Sequence, residues 1–208
     1  MGLQQYWKKR NFQRTPEPRG KNVPPDGRLR FVIQKHAASR LHYDFRLELN
    51  GTLKSWAVPK GPSLDPAQKR LAVHVEDHPL EYAGFEGVIP EKQYGGGTVL
   101  LWDRGYWEPI GDPGSSYRRG RLTFSLHGEK LHGIWNLVRM GGRKEDGKEN
   151  WLLIKEDDEE AQRGKRGDIT QTLEESVASG KPLEQIAAGE PAVWQPERPS
   201  GKKSRAGS

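Results

Sequence analysis

Short, strand-like segments separated by turn residues follow one another along most of this sequence. They are rich in β-branched and aromatic residues, and Gly, Pro, Asp and Asn stand between them. The segments are 31-FVIQKH-36, 41-LHYDFRLEL-49, 71-LAVHVE-76, 98-TVLLWD-103, 121-RLTFSLHG-128, 131-LHGIWNLVRM-140 and 151-WLLIKE-156. No long segment of helical period competes with them. This series predicts an all-β fold, a closed or nearly closed β-barrel, with a β-sandwich as the alternative.

The regions on either side of the predicted barrel differ from it in composition. We expect an extended, basic N-terminal arm over 1–28, the barrel over 29–157, and a flexible, partly helical tail or linker over 158–208. Weak helical signals and a linker-like end account for the last assignment. They lie in 172-TLEESVASG-180, 182-PLEQIAAG-189 and 195-QPERPSGKKSRAGS-208.

Positive charge is concentrated in the arm. Residues 1–30 carry eight Lys or Arg against two Asp or Glu, an excess that equals the net charge of +6 of the whole chain. Tyr6, Trp7 and Phe12 are interleaved with these charges. Such an arm could lie along phosphates and stack on a base, and a solvated tail is the alternative.

The residue types and segments that the sequence lacks exclude several classes of protein. The chain has no cysteine, which excludes disulfides, thiolate nucleophiles and thiolate zinc sites. No run approaches the roughly 18 apolar residues of a membrane span, and the N-terminus has no apolar segment of signal-peptide type. We therefore expect a cytoplasmic protein, associated with the nucleoid if it binds DNA.

The segment 41-LHYDFRLEL-49 alternates between apolar and polar side chains. Successive side chains of a strand point to opposite faces, so its apolar residues can pack in a barrel wall while His42, Asp44 and Arg46 share the other face. The four residues 37-AASR-40 can turn the chain back and bring His36 beside His42. Two imidazoles and one carboxylate suit a divalent transition metal with open coordination positions. Exposed strand residues without a ligand are the alternative.

A second group of histidines permits another interpretation. In 71-LAVHVEDHP-79 alternation places His74, Glu76 and His78 on one face. His42, Asp44 and His78 then imitate the two-histidine, one-carboxylate site of non-haem iron oxygenases, with Arg121 binding an oxoacid. That interpretation leaves His36 and Arg46 without a role.

Two further features are interpreted structurally. The stretch 94-YGGGT-98 lacks the lysine of a phosphate-binding loop and predicts a close backbone approach or a bulge before a strand. Most of the seven tryptophans are expected in the core.

Across residues 6–157 the sequence resembles the 3′-phosphoesterase domain of bacterial DNA ligase D. The resemblance is carried by 31-FVIQKHAASRLHYDFRLELNGTLKSWAVPKGPS-63, 73-VHVEDHPLEYAGFEGVIPEKQYGGGTV-99 and 15-TPEP-18. It implies a Mn²⁺-dependent enzyme on a β-barrel, with other divalent transition metals as alternatives. The implied activity removes a 3′-terminal ribonucleoside as a phosphodiesterase and then the 3′-phosphate as a phosphomonoesterase. The product is the 3′-hydroxyl required for ligation in non-homologous end joining.

The resemblance also assigns site residues. The implied metal ligands are His36, His42 and Asp44, and the implied phosphate-binding pair is Arg46 and His78. These five residues and Tyr82 make up the implied catalytic set. Further positions that match substrate-contacting or supporting residues of the family are Gln34, Lys60, Arg70 and Glu76, and in the arm Arg10 and Glu17. This sequence departs from many members at Asn11, where they have aspartate; if that carboxylate reads the ribose, ribonucleoside removal is the step affected.

The implied partners are nucleic acid and repair proteins. They are a DNA primer–template with a 3′-ribonucleotide or 3′-phosphate end, the ligase and polymerase domains of DNA ligase D in cis or in trans, and Ku. A catalytically silent nucleic-acid-binding module of a repair complex is the alternative from another functional class.

Overall fold

A computed structural model describes residues 2–20, 27–141 and 149–189. The strands are β1 Leu29–Ala37, β2 Leu41–Leu49, β3 Thr52–Val58, β4 Arg70–His74, β5 Gly87–Ile89, β6 Gly97–Pro109, β7 Arg121–Gly128, β8 His132–Arg139 and β9 Asn150–Lys155. The α-helices are α1 Gln4–Lys8, α2 Pro113–Arg119 and α3 Leu183–Ala188, and 3₁₀ helices span Leu80–Gly84, Gly164–Gly167 and Ile169–Gln171. The longest of these helices has seven residues, too few to cross a membrane.

Eight of the strands form a closed antiparallel barrel. Their order is β1, β2, β3, β4, β9, β8, β7, β6, and β6 pairs back onto β1. The short β5 pairs with the first residues of β6 outside the ring. The prediction of a β-barrel is confirmed, and the sandwich alternative is wrong because the pairing of β1 with β6 leaves no gap between two sheets.

The barrel interior is filled by the apolar faces of all eight strands. On β2, Tyr43, Phe45 and Leu47 are buried in this core, as the alternation predicted. The residues of the opposite face therefore lie on the outer side of the barrel wall. The prediction for the tryptophans is confirmed, since five of them are almost completely buried: Trp56, Trp102, Trp107, Trp135 and Trp151.

The strands extend beyond the predicted segments in several places. β6 continues to Pro109, and the sequence analysis missed β3 and β5. Asn50 and Gly51, with φ of 54° and 75°, form the tight turn between β2 and β3. An Asn-Gly pair between two runs of strand-forming residues is a strong hairpin signal, which could have identified β3.

The N-terminal arm packs on the barrel. It begins with α1, whose Tyr6 is fully buried and donates a hydrogen bond from its hydroxyl to the carbonyl of Pro18 at 2.6 Å. The arm is therefore a folded layer over residues 2–20.

The C-terminal segment also packs on the barrel as far as it is described. Ile169 and Ile186 belong to the barrel core, and α3 confirms the second helical signal. The first helical signal, over 172–180, is wrong: the segment forms turns, and the amide of Val177 donates to the carbonyl of Leu101 at 2.9 Å and so bonds to the barrel. The linker-like 195–208 lies outside the described residues.

Candidate metal and phosphate site

The polar face of β1 and β2 is covered by a second layer outside the barrel. This layer is formed by α1 and by the 3₁₀ helix Leu80–Gly84, which pack over Val32 of β1 in a buried apolar cluster with Tyr6, Tyr82 and Phe85. Polar side chains of the barrel wall beside this cluster are consequently removed from solvent. Burial of this kind strengthens every charge interaction in the site.

Three side chains of types that can bind a metal meet at the end of the β1–β2 hairpin. His36 pairs directly with His42, and their ring centroids are 4.8 Å apart. Asp44 Oδ2 lies 3.5 Å from His36 Nδ1, and Asp44 Oδ1 lies 3.7 Å from His42 Nε2. The ligand atoms of the three residues all lie within 4.8 Å of one another. Among the described residues this is the one group of three or more such side chains close enough for a single ion.

The contacts of these side chains fit a metal ion. The carbonyl of Arg40 accepts a hydrogen bond from His42 Nδ1 at 3.0 Å, which orients the ring so that Nε2 faces Asp44. Nε2 of His36 is buried and has no hydrogen-bond partner among the residues that the structure describes. Burial opposes ionisation of Asp44, but Arg46 and the two imidazoles hold the pKa of this carboxyl well below its usual range. An unpartnered imidazole nitrogen and an ionised carboxylate are the donors that a transition metal requires.

Arg46 is held by side chains on three sides. Its Nε donates to Gln34 Oε1 at 2.8 Å, its Nη1 donates to Ser55 Oγ at 2.8 Å, and its Nη2 lies 3.1 Å from Asp44 Oδ2. Gln34 donates both amide hydrogens to the carbonyls of Tyr82 and Phe85, so its oxygen must face Arg46. The guanidinium is thus fixed beside the candidate metal ligands before any substrate binds.

His78 lies between two guanidinium groups. Its Nδ1 is 2.9 Å from Arg46 Nη1, and its Nε2 is 3.1 Å from Arg10 Nη2. Burial and the positive charges of Arg46 and Arg10 hold the pKa of His78 well below its ordinary value. The imidazole is therefore neutral at neutral pH, and the two arginines leave a concentrated positive charge around it.

The arm supplies Arg10 and Glu17 to this network. Glu17 Oε1 accepts from Arg10 Nε at 2.8 Å and from the hydroxyl of Tyr82 at 3.1 Å, and Oε2 accepts from Thr15 Oγ1 at 2.8 Å. Arg10 Nη1 also reaches Glu76 Oε1 at 3.2 Å. Arg10 thus joins the arm directly to His78, and Glu17 is linked to His78 through Arg10 and Tyr82.

Two residues that the resemblance placed in the site lie elsewhere. Lys60 and Arg70 line a groove at the open end of the barrel, on the opposite side of the β1–β2 hairpin from His42. Within the described ranges, neither shares a hydrogen bond or ion pair with Arg46 or His78.

The prediction that His74 shares a polar face with Glu76 and His78 is wrong. β4 ends at His74, and His74 points into the barrel, where its Nε2 lies 2.8 Å from the hydroxyl of Tyr117. His78 reaches Arg46 because the chain has left the strand and its backbone pairs with Leu53. The oxygenase interpretation consequently loses its third ligand, since His78 is not in the metal-binding group, and Arg121 lies exposed on β7.

The sequence analysis missed Ser55, Lys9 and Tyr94. Ser55 is paired with Arg46 across β2 and β3, so it could be found only after β3 was recognised. Lys9 Nζ bridges Glu76 Oε2 at 3.0 Å and the hydroxyl of Tyr94 at 3.1 Å. The glycine stretch that follows Tyr94 is the sequence signal that could have identified it. A Cβ atom at Gly97 would lie 2.1 Å from the carbonyl oxygen of Ala37, which confirms the predicted close approach of the two backbones. This approach packs the loop against the tip of the β1–β2 hairpin.

The chain is similar to known proteins over most of its length. The sequence profile of the DNA Ligase D 3'-phosphoesterase domain matches residues 34–139. The chain is 55% identical over 184 residues to the multifunctional non-homologous end joining protein LigD of Pseudomonas aeruginosa, covering 87% of this chain and 22% of that protein. It is 43% identical over 159 residues to LigD of Mycolicibacterium smegmatis, covering 72% and 20%. It is 46% identical over 145 residues to LigD of Mycobacterium tuberculosis, covering 67% and 18%.

The chain therefore spans about a fifth of the length of these curated relatives. The matched region begins within β1 and contains β2 and the hairpin that carries His36, His42 and Asp44. On this evidence the chain belongs to the family of DNA ligase D 3′-phosphoesterase domains.

Proposed function

We propose that this chain is a Mn²⁺-dependent phosphoesterase that processes the 3′ ends of DNA for non-homologous end joining. It removes a 3′-terminal ribonucleoside and then the remaining 3′-phosphate, and so leaves the 3′-hydroxyl that a ligase needs. The observation that carries the proposal is the contact between Arg46 and Asp44, which joins the candidate metal ligands to a fixed phosphate-binding group. Membership of the family supports the same substrate class.

His36, His42 and Asp44 would hold the ion. When bound, a divalent ion polarises a phosphate oxygen and lowers the pKa of a water molecule. The carboxylate keeps its charge because Arg46 lies beside it. Imidazole and carboxylate ligands accommodate Mn²⁺, and other divalent transition metals suit the same donors.

Arg46 and His78 would bind the phosphate ester of the substrate. The planar guanidinium of Arg46 can bridge two phosphate oxygens, and Gln34 and Ser55 hold it in place while it does so. A phosphate between Arg46 and Arg10 offsets the positive charge that now keeps His78 neutral. The imidazole then gains affinity for a proton, which it can donate to the leaving oxygen.

The arm would recognise the terminal ribonucleoside. Arg10, Glu17 and Tyr82 form one hydrogen-bonded group beside His78. Asn11, where many relatives have aspartate, is exposed next to this group and accepts a hydrogen bond from the amide of Gln13 at 3.1 Å. A neutral amide there accepts hydrogen bonds from ribose hydroxyls less strongly than a carboxylate would, so ribonucleoside removal is the step that Asn11 should slow relative to family members with aspartate.

The proposed function also implies a nucleic-acid substrate and protein partners. The substrate is a DNA primer–template with a 3′-ribonucleotide or 3′-phosphate end. The ligase and polymerase domains of DNA ligase D, in cis or in trans, and Ku would act on the same ends. This assignment rests on the names of the curated relatives, which describe non-homologous end joining.

Incubation with a labelled primer–template that ends in one ribonucleotide tests the activity. The products with a 3′-phosphate and a 3′-hydroxyl are resolved over time, with Mn²⁺ added to chelator-treated protein or withheld. We expect both products with Mn²⁺, and for His42→Ala a loss of both steps by at least about 100-fold, since even residues that merely orient metal ligands cost up to that factor.

His132→Ala is the matched control, because His132 is an exposed strand histidine remote from the site. It should retain the activity of the parent. A parent that binds the primer–template but yields neither product with any divalent transition metal would be the catalytically silent module instead. Equal turnover of His42→Ala and the parent would show that the three residues do not hold the catalytic ion.

A further inference from the structure

A groove lies between the open end of the barrel and the C-terminal segment. Its larger part, of about 730 Å³, runs between Lys60 and Arg70 on the barrel side and Lys165 and Gln171 on the other. A second part of about 340 Å³ continues it to Leu41 at the β1–β2 hairpin. Both parts share Lys60, Arg70, Asp168 and Gln171, so they form one continuous feature.

The groove carries positive charge that the protein itself does not neutralise. Within the described ranges, the side chains of Lys60 and Lys165 make no hydrogen bond or ion pair. The side chain of Arg70 is 11% exposed, its Nε is buried without a partner, and its Nη2 is 3.9 Å from Asp168 Oδ1. A buried guanidinium with an unused donor is costly unless a ligand completes its hydrogen bonds.

The arrangement of these charges suits a phosphodiester backbone. Two flexible lysines, Lys60 and Lys165, and the planar guanidinium of the more deeply buried Arg70 line the groove, so several donors can meet anionic oxygens. The neutral polar residues of the groove, Ser63, Gln68 and Gln171, can contact sugar and phosphate oxygens without selecting a base. The groove therefore fits a nucleic acid strand read through its backbone.

The groove and the metal site share the β1–β2 hairpin. Lys35, Leu41 and Tyr43 line the groove, and their chain neighbours His36, His42 and Asp44 point to the other side of the same two strands. The turn 37–40 at the tip separates the two sites, and Arg40 is exposed there. A strand that ends at the metal ligands can pass over this tip and continue into the groove.

We propose that this groove binds the sugar–phosphate backbone of the DNA strand whose 3′ end lies at the metal site. Lys60, Arg70 and Lys165 contact its phosphates. In the free protein, Asp168 Oδ1 lies 3.9 Å from Arg70 Nη2, and Glu174 Oε1 lies 3.4 Å from Lys35 Nζ. The phosphates of the bound strand displace these two carboxylates. The proposal rests on the proposed function for the position of the 3′ end, and it adds residues 163–174 to the substrate-binding surface.

Two substitutions that should change the affinity for DNA in opposite directions test the groove. Binding of a labelled 3′-phosphate primer–template is measured by fluorescence anisotropy in chelator, over a series of salt concentrations. Lys165→Glu should weaken binding and reduce the slope of log Kd against log salt by about one, as expected for the loss of one phosphate contact. Asp168→Asn should tighten binding, because it removes a competing charge and keeps the acceptor for Thr170 Oγ1.

Lys181→Glu is the charge-matched control, since Lys181 is exposed in the same C-terminal segment but does not line the groove. It should change binding less than Lys165→Glu does. Equal effects of the two lysine substitutions, or weaker binding by Asp168→Asn, would overturn the proposal, because a general charge effect or a structural role of Asp168 predicts those results.

The length of the strand provides a second readout. In the Mn²⁺-dependent removal of a 3′-phosphate, Lys165→Glu should raise KM for a strand long enough to cross the hairpin more than for a dinucleotide. An equal change in KM for both substrates would contradict the proposal. If the parent removes 3′-phosphates but the groove variants match it in every measurement, the proposed function stands and the groove assignment fails. A parent without Mn²⁺-dependent activity contradicts the proposed function instead.

Discussion

At the scale of single residues, the positions of the charges determine the properties of the site. Arg46 donates to Gln34 and Ser55 and lies against Asp44, so its orientation is set without substrate. A preorganised cation of this kind avoids the free-energy cost of reorganisation when a phosphate binds. Because His78 is buried between Arg46 and Arg10, its pKa is lowered and its imidazole remains neutral.

The lowered pKa of His78 predicts a specific dependence of stability on pH. Histidine takes up a proton near pH 6.5 in the unfolded chain, but native His78 does so only at a lower pH. Below pH 6.5 the unfolded state therefore binds more protons than the native state, and stability falls as the pH falls, by up to about 1.4 kcal/mol per pH unit. His78→Gln should remove this contribution and flatten the profile between neutral and mildly acidic pH.

Urea unfolding of chelator-treated protein at several pH values measures this effect. His132→Gln is the control, because this exposed histidine should leave the profile as it is. The ionised Asp44 does not obscure the result, since its pKa is lowered and it takes up protons only in stronger acid. A profile for His78→Gln as steep as that of the parent would show that native His78 is protonated together with the unfolded chain.

At the scale of secondary-structure elements, Glu17 is one of the groups that attach the arm to the rest of the protein, beside buried Tyr6 and the contacts of Arg10 with Glu76 and His78. This buried carboxylate accepts hydrogen bonds from Arg10 and Thr15 within the arm and from Tyr82 in the 3₁₀ helix Leu80–Gly84, so one side chain joins these two segments. Most of the arm's other charges face solvent. Attachment of the arm should consequently depend in part on this buried carboxylate and not on the overall charge of the arm alone.

Glu17→Gln should release the arm without unfolding the barrel. The amide nitrogen of glutamine cannot accept from Arg10, Thr15 or Tyr82, and hydrogen bonds to charged groups contribute about 1.5–3 kcal/mol. Local opening of the arm should therefore become at least about tenfold more frequent, which limited proteolysis by trypsin at Arg10 and Arg14 can measure.

Glu91→Gln is the control, because Glu91 is exposed in the loop before β6 and should leave the cleavage rate unchanged. The melting temperature of the barrel is measured in parallel. Unchanged cleavage of Glu17→Gln, or a loss of barrel stability as large as the loss of arm protection, would contradict the separate opening of the arm.

The elements also show how far the sequence could predict this molecule. Alternation on β2 correctly separated the core residue Phe45 from Asp44 and Arg46, and the short turn correctly placed His36 beside His42. The assignment of His74 failed because alternation identifies two faces but not which of them points into a closed barrel. In β4 the face with Ala72 and His74 is the interior one.

Contacts between distant segments could not be predicted from local patterns. Arg10 meets His78 because the arm folds back over the barrel wall, and nothing in the arm's own sequence specifies that path. Lys60 and Arg70 lie on the opposite face of the β1–β2 hairpin from Arg46, and the order of residues in a motif does not indicate on which face each of them lies. The resemblance to the family supplied Arg10 and Glu17, which the residue pattern alone would have left in a solvated arm.

At the scale of the whole molecule, the barrel is closed by residues beyond the region that defines the family. The profile match ends at Arg139, but β9 at Asn150–Lys155 pairs with both β4 and β8. The C-terminal segment then covers the open end of the barrel and places Ile169 in the core. The complete domain therefore extends well past the family motifs.

Ile169→Ala should destabilise the entire barrel. Ile169 is 5% exposed and packs in the cluster that contains residues of all eight barrel strands. Truncating a buried isoleucine to alanine typically costs about 2–5 kcal/mol, and Ile110→Ala, at a residue that is 51% exposed, should cost less than about 0.5 kcal/mol.

The free energy of unfolding, obtained from urea titrations of both variants, measures the difference. Equal values for Ile169→Ala and Ile110→Ala would show that the C-terminal segment is not part of the cooperative unit.

The candidate active site lies on the outer wall of the barrel, and this position has an evolutionary consequence. On β2, Tyr43, Phe45 and Leu47 face the interior, while His42, Asp44 and Arg46 face the covering layer. Selection for heat tolerance and selection for substrate preference therefore act on different side chains of the same strand. A lineage, or a directed-evolution library, can repack the inside of this barrel without altering the candidate phosphate-binding residues, and can diversify the exposed positions of the covering arm separately from the barrel core.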